Sequence, residues 1–310
     1  MRWLILGAGS VGGYFGGRLQ EAGGDVTFLV RPARAQLLRE QGLVIESPDG
    51  AARLQPKLLL PGEPAAQPFD AVLLTCKAYD LDGAMATVAP YLGSATAILP
   101  LLNGLLHLDR LEAAFGAERV LGGVCHISAT LGPAGEIRHL DLPPRLTFGE
   151  RAGGASDRVR AIAADLAPAK FKSVASENVL QEMWEKFTML ATLAGLTCLM
   201  RGSVGEIARA GGAGIARAML MEAGAVAAAS GYAARDKVLE ATAQRLTDPA
   251  SAVQASMLRD LERGGPTEGT HILGDMVARG RALRIATPLI EAAACHVAVY
   301  EARRAARKEA

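Results

Sequence analysis

The sequence is short of several features that would otherwise direct its reading. It has four cysteines, Cys76, Cys125, Cys198 and Cys295, spaced too widely for a C-x-x-C pair or a metal-ligand cluster. No metal site is expected, and reduced thiols in a cytoplasmic protein are the simplest expectation. An excess of one charge is also lacking. With 33 Lys and Arg against 32 Asp and Glu the formal net charge is +1, which argues against a nucleic-acid partner or an acidic membrane surface. The longest uncharged run, Phe187 to Met200, is bounded by Lys186 and Arg201. That is too short for a membrane span and suits a buried helix. A signal peptide is not expected either, because an apolar strand begins at residue 2. There is no internal repeat and no low-complexity segment. What is present is 310 residues, 50% hydrophobic and 21% charged, enough for two domains of ordinary composition.

The first seventeen residues organise the rest. Arg2-Trp3-Leu4-Ile5-Leu6 is a short strand-like run. It ends in Gly7-Ala8-Gly9-Ser10-Val11-Gly12, and a helix follows through Ala22. The spacing of Gly7, Gly9 and Gly12 is the dinucleotide-binding fingerprint, and its place between a strand and a helix carries more weight than the glycines alone. Gly7 allows the turn off the strand, Gly9 lets the backbone approach a pyrophosphate, and Gly12 lets helix and sheet pack closely. The helix N-terminus then faces the phosphates with free N–H groups.

Val26–Val30 reads as the second strand, followed by Arg31, Pro32, Ala33 and Arg34. An NAD site places a carboxylate here for the ribose 2′-hydroxyl. Arg31 stands in its place, with Arg34 close by, and a guanidinium suits a 2′-phosphate. This predicts NADP(H) over NAD(H); the plainer alternative is a solvated arginine before the helix Arg34–Gln41. Further strands are expected at Leu43–Glu46, Arg53–Leu54, Leu58–Leu60, Ala71–Thr75, Thr96–Leu101 and Val120–Val124, with helices at Leu81–Tyr91 and Leu105–Phe115. Arg31, Lys77 and Asn103 each fall just past a strand's C-terminal end, the ligand-binding edge of an open parallel sheet. Singly, Lys77 reads equally as a surface lysine and Asn103-Gly104 as a turn. From His126 the pattern becomes antiparallel, with strands His126–Leu131, Gly135–Leu140 and Arg145–Gly149, a helix Val159–Leu166 and an edge strand Lys172–Val174.

Beyond Ala175 the sequence reads as helix only. Helices are expected at Glu177–Leu199, Ile215–Ser230, Lys237–Leu246, Pro249–Glu262, from Thr267 to Arg279, and from Thr287-Pro288 onward. In the first of these, Lys186 borders the apolar stripe of Met183, Trp184, Phe187 and Ala191. A half-desolvated lysine there could exchange a proton; equally, it could snorkel to water. Glu268 has a sufficient structural role as a carboxylate in a first helical turn capped by Thr267. The fold class expected is α/β: a Rossmann-type doubly wound domain over residues 1–175, followed by an all-α domain over 176–310. The apolar helical part makes a homodimer plausible.

These residues together resemble the ketopantoate reductase (2-dehydropantoate 2-reductase) family across nearly the whole chain. The matching segments are Gly7-Ala8-Gly9-Ser10-Val11-Gly12, Val30-Arg31, Cys76-Lys77-Ala78, Asn103-Gly104, Trp184-Glu185-Lys186, Ser256-Met257-Leu258-Arg259-Asp260 and Thr267-Glu268. The resemblance implies that Lys186 is the catalytic lysine and Glu268 an essential glutamate. It implies that Asn103 and Ser256 contact substrate, with Asn103 a cofactor contact on the nicotinamide side as well, that Lys77 lies at the cofactor–substrate junction and that Arg31 holds the NADP 2′-phosphate. The implied reaction is NADPH-dependent reduction of ketopantoate to pantoate, with the proton supplied by Lys186. The sequence departs from the family at Leu190, Ala194 and Leu273, where asparagines are usual, and at Ala255, often serine. Those losses leave room for a reductase of a less polar 2-oxo acid, or for an NADPH-binding regulator without turnover.

Overall fold

The computed structural model describes residues 1–140 and 142–309. By its contacts the chain divides into two units: Met1–Leu102 with His107–Val179, and Asn103–Leu106 with Leu180–Ala310.

The first unit opens with β1 (Arg2–Leu6), α1 (Ser10–Glu21), β2 (Asp25–Leu29) and α2 (Pro32–Gln41). Three short strands follow, β3 (Leu43–Glu46), β4 (Ala52–Leu54) and β5 (Lys57–Leu59). Then come β6 (Phe69–Leu74), α3 (Leu81–Val88), β7 (Leu92–Pro100) and α4 (Leu106–Phe115). The unit closes with β8 (Gly122–His126), β9 (Ala129–Leu131), β10 (Ile137–His139), β11 (Arg145–Gly149), α5 (Asp157–Leu166) and β12 (Lys172–Ala175).

Five strands form a parallel sheet in the order β5-β2-β1-β6-β7. With the β3–β4 hairpin set aside, this is the 3-2-1-4-5 order of a doubly wound dinucleotide-binding sheet, and strand order reverses between β1 and β6. Both strands are nearly continuous apolar runs, as a sheet covered on both faces requires; Leu4, Ile5, Ala71, Val72 and Leu74 are inaccessible to solvent.

The later strands are less uniform than the sequence suggests. β8 and β9 pair antiparallel with β11 and β10 respectively, but β10 runs parallel to β3 and β12 parallel to β11. Helix α1 packs closely against two of the sheets. A Cβ on Gly16 would sit 2.8 Å from Ile5 and 2.9 Å from Phe28 of the large sheet. One on Gly13 would sit 2.4 Å from Ile137, and one on Gly17 2.7 Å from Leu43. Two adjacent glycine faces thus let α1 lie close to two sheets at once, and β3 and β10 meet over it. Helix α3 is shorter than expected because a 3₁₀ turn, Ala89–Tyr91, with Pro90 inside it, takes over its last residues.

The second unit is helical: α6 (Val179–Met200), α7 (Val204–Arg209), α8 (Ala213–Ala229), α9 (Asp236–Thr247), α10 (Ser256–Glu262), α11 (Asp275–Ala282) and α12 (Pro288–Glu309). The sequence reading missed α7, which a Ser203/Glu206 capping box starts. It also extended α10 too far back. Residues 249–255 are not helical, and the carbonyls of Ser251 and Val253 accept from Gly205 and Val204 at 2.8 and 2.9 Å. Among the described residues no helix is long and apolar enough to cross a membrane. The four cysteines are free thiols, and burial pushes Cys198 up to about 12, which makes that thiol unreactive.

Candidate functional site

In the first unit the chain leaves β1 through Gly7, whose φ of +93° is the left-handed region that favours glycine. Its N–H donates to Leu29 O at 3.0 Å. Ala8 is buried. Gly9 is the N-cap of α1 and has no side chain with which to cap it. The first intrahelical bond runs from Gly13 N to Gly9 O, 2.8 Å. The N–H groups of Ser10, Val11 and Gly12 precede it and lack an intrahelical acceptor. No acidic residue occupies that first turn.

Gly12 is fixed by packing: a Cβ there would lie 2.3 Å from Thr75 Oγ1 and 2.4 Å from Gly7 O. Thr75, just past β6, donates its hydroxyl to Leu6 O at 2.9 Å. The glycine turn is thereby locked to the neighbouring strand at the point where strand order reverses. A Cβ on Gly9, by contrast, would meet nothing within 4 Å. An open approach to bare backbone beside unbonded N–H groups and a positive helix end fits the pyrophosphate of a dinucleotide.

Arg31 precedes α2, its side chain 81% exposed, and its Nη2 lies 3.2 Å from Asp80 Oδ2. Lys77 is exposed and starts the short 3₁₀ turn Ala78–Asp80. The structure therefore brings the loops after β2 and β6 together through Arg31 and Asp80. Arg34 faces inward instead: Nε donates to Ala8 O at 3.0 Å and Nη1 to Gly135 O at 2.9 Å. Arg34 braces the glycine turn, which leaves Arg31 as the guanidinium open to solvent.

Asn103, Lys186, Ser256 and Glu268 all belong to the second unit. Lys186 is half-buried on α6, and its neighbours anchor that helix. Trp184 stacks on Tyr232 at 5.8 Å, and the Arg279 guanidinium lies over the Trp184 ring, 5.6 Å from its centroid. Glu185, 7% exposed, accepts from Arg235 Nε at 2.8 Å and from Arg235 N at 3.0 Å, and it also pairs with Arg235 Nη2. Gln181 donates to Ala233 O at 2.9 Å. The stretch 232–235 is thus tied to the helical turns that carry Lys186.

Burial alone would raise the Glu185 carboxyl, but hydrogen bonds from Arg235 and Gln181 more than reverse this and hold it below the usual carboxylate range. A lowered native pKa means that its stabilisation is complete above the unfolded value, about pH 4.3, and is lost as pH falls through the native one. The stability gap between wild type and Glu185→Gln, read from urea midpoints, should narrow on acidification below about pH 4.3. A gap independent of pH would contradict this.

Ser256 is exposed at the start of α10. Glu268 is 8% exposed and lies two residues before a π turn, Thr270–Gly274, where the sequence suggested plain α-helix. The entry to that turn is held at both sides. Thr267 N donates to Glu301 Oε1 at 2.7 Å, and Gly269 approaches α12 so closely that a Cβ would be 2.4 Å from Val297. Gly104, with φ +81°, rests against the same turn; a Cβ would lie 3.0 Å from His271 Cδ2 and 3.0 Å from Ile272 Cδ1. Asn103-Gly104 and the segment after Glu268 are therefore neighbours. His271, 7% exposed, is a site candidate that the sequence reading missed. Its only signal was its place three residues after Glu268.

A glycine turn at the point where a 3-2-1-4-5 parallel sheet reverses its strand order has the geometry of a dinucleotide-binding unit, and a helical unit accompanies it in the same chain. Comparison with known proteins narrows this. The family model described as "Ketopantoate reductase PanE/ApbA" matches residues 3–153, and its C-terminal counterpart matches 178–301. The "Uncharacterized oxidoreductase YkpB" of Bacillus subtilis (strain 168) is 37% identical, covering 98% of this chain and 100% of its own. The crystal structure of 2-dehydropantoate 2-reductase from Methylococcus capsulatus superposes with a TM-score of 0.88 at 28% identity, covering 98% of each chain. The fold is also that of a D-mandelate dehydrogenase solved with NADH and anilino(oxo)acetate, with a TM-score of 0.86 at 21% identity over 98% of this chain and 99% of the other. The chain belongs to the ketopantoate reductase family of pyridine-nucleotide-dependent oxidoreductases.

Proposed function

We propose that the protein reduces 2-dehydropantoate to pantoate with NADPH. The observation that carries this reading is the seating of Asn103-Gly104 on the turn that follows the buried Glu268, in the same unit as Lys186. When bound, the nicotinamide supplies the hydride. Ser10, Val11 and Gly12 N–H groups hold the pyrophosphate, and Arg31 holds the 2′-phosphate. Lys77 adds positive charge for the anionic groups. Asn103 orients the carbonyl oxygen, and Ser256 binds the carboxylate. Lys186 gives its proton to the oxygen as charge develops there, and its cation stabilises that charge. Glu268 orients the lysine or contacts substrate. The test is NADPH oxidation with ketopantoate as substrate; tight NADPH binding without oxidation of any 2-oxo acid would instead mark a cofactor-binding regulator.

One observation favours a second substrate class. Leu273 is fully buried and Ala194 is 5% exposed; Leu273 Cδ2 lies 3.5 Å from the Cβ position of Gly195 on α6. The position that carries an amide elsewhere in the family is here part of the apolar packing. A pocket without such amides discriminates weakly in favour of a substrate hydroxyl. A less polar 2-oxo acid with a higher kcat/KM than ketopantoate would establish this second reading.

Cofactor preference has its own test. Arg31→Ala should raise the KM for NADPH about 10- to 100-fold and leave that for NADH nearly unchanged, as expected for one lost charge-assisted contact. Asp80 competes with a phosphate for the same guanidinium, so Asp80→Asn should favour NADPH by about threefold, the scale of an exposed pair. Equal responses of the two cofactors to Arg31→Ala would remove Arg31 from the 2′-phosphate.

A further inference from the structure

A cavity of about 430 Å³ opens on the helical unit where the chain after α6 meets the outer half of α12. Arg201, His296, Tyr300, Arg303, Arg304 and Arg307 line most of it, and none of Asn103, Lys186, Ser256 or Glu268 does. The five residues from α12 recur at three- and four-residue intervals, so they share one helical face. Arg201 enters from the other side. It has φ 55°, in the position after a helix where glycine is usual.

Among the described residues no carboxylate lines the cavity. The nearest in sequence, Glu301, is already engaged: Oε1 accepts from Thr267 N at 2.7 Å and Oε2 pairs with Arg304 at 2.9 Å. Among the described residues, Arg201, Arg303 and Arg307 have no carboxylate within ion-pair distance. Three guanidiniums of the lining, those of Arg304, Arg201 and Arg307, act on the same side chain. Burial and Glu301 push the Tyr300 phenol up, while Arg304, Arg201 and Arg307 each pull it down, so three guanidiniums are within Coulombic reach of one hydroxyl.

Arg201, Arg303 and Arg307 line one cavity with no ion-pair partner among the described residues, and an anion bound between them would relieve their mutual repulsion. Their planar forks match phosphate oxygens in bidentate fashion. Val299 and the ring of Tyr300 add an apolar wall, and the volume falls in the range of small-molecule sites. We infer that this cavity binds a phosphate-bearing small molecule, with its phosphates on Arg201, Arg303 and Arg307 and a planar or apolar part on Val299 and Tyr300. This site does not depend on the reductase reading.

The test is calorimetric titration of ADP into the full chain and into an Arg303→Ala/Arg307→Ala variant, at about 0.15 M ionic strength. Both arginines are exposed, so the variant should keep its melting temperature and its affinity for NADPH. The expected result is an ADP site in the wild type, beyond any that NADPH displaces, whose affinity falls at least tenfold in the variant. Identical isotherms for the two proteins, no ADP binding beyond the NADPH-displaceable site, or a signal that never saturates would overturn the inference.

Discussion

Replacing Lys186 with alanine should lower kcat for 2-oxo acid reduction by about 10²- to 10⁴-fold, the usual contribution of a positioned general acid. NADPH affinity should hardly change, because the groups proposed for the cofactor's phosphates are carried by the first unit. Lys186→Arg makes the assignment sharper. It keeps the positive charge, but guanidinium does not release a proton near neutral pH. If Lys186 acts mainly by its charge, the arginine variant recovers much of the rate; if proton donation dominates, it stays close to the alanine variant. Both variants should fold, since Lys186 is half-buried and the packing of α6 rests on Trp184, Glu185 and Phe187. Steady-state rates and thermal melts decide the matter, and a kcat within a few-fold of wild type for Lys186→Ala would remove the lysine from the reaction.

How much of this was legible in the sequence depends on the range of the interaction. The glycine turn was legible because its chemistry is local: only glycine fits φ +93° at residue 7 without strain, and only glycine fits the space at residue 12. The parallel sheet was legible because strands and helices alternate in short succession. The pairing of β10 with β3 was not. It depends on Gly13 and Gly17 meeting Ile137, Leu43 and Ile45, contacts between segments far apart in the chain. Arg34 shows the same limit, because a guanidinium bound to two backbone carbonyls leaves no pattern in the sequence. The π turn after Glu268 was hidden for a related reason. A 3.6-residue apolar period carries no mark of one widened turn, which here accompanies the close approach of Gly269 to Val297. Lys186 and Glu268 were ambiguous by position, and the family resemblance, rather than periodicity, singled them out.

Gly9 and Gly12 should separate ligand binding from folding, although the same motif contains both. Gly12→Ala places a methyl 2.4 Å from the backbone oxygen of Gly7 and 2.3 Å from Thr75 Oγ1. Thr75 cannot simply rotate away without losing its bond to Leu6 O, and the Gly7 carbonyl belongs to the turn itself. Overpacking of this kind costs about 1–3 kcal/mol, and the denaturant midpoint should fall accordingly, whether or not cofactor is present. Gly9→Ala differs at each step. Its φ of −78° and ψ of −166° are open to any residue, and its Cβ would meet nothing within 4 Å. Stability without cofactor should therefore stay within about 0.5 kcal/mol of wild type. The methyl would instead project into the space through which a pyrophosphate reaches the first turn of α1, and NADPH affinity should fall about tenfold or more, at least 1.4 kcal/mol. Chemical denaturation and direct NADPH titration of the two variants give four numbers, two for each. A Gly9→Ala protein that binds NADPH as tightly as wild type would show that the phosphates do not approach the backbone there, and a Gly12→Ala protein of unchanged stability would show that α1 can move off the sheet at little cost.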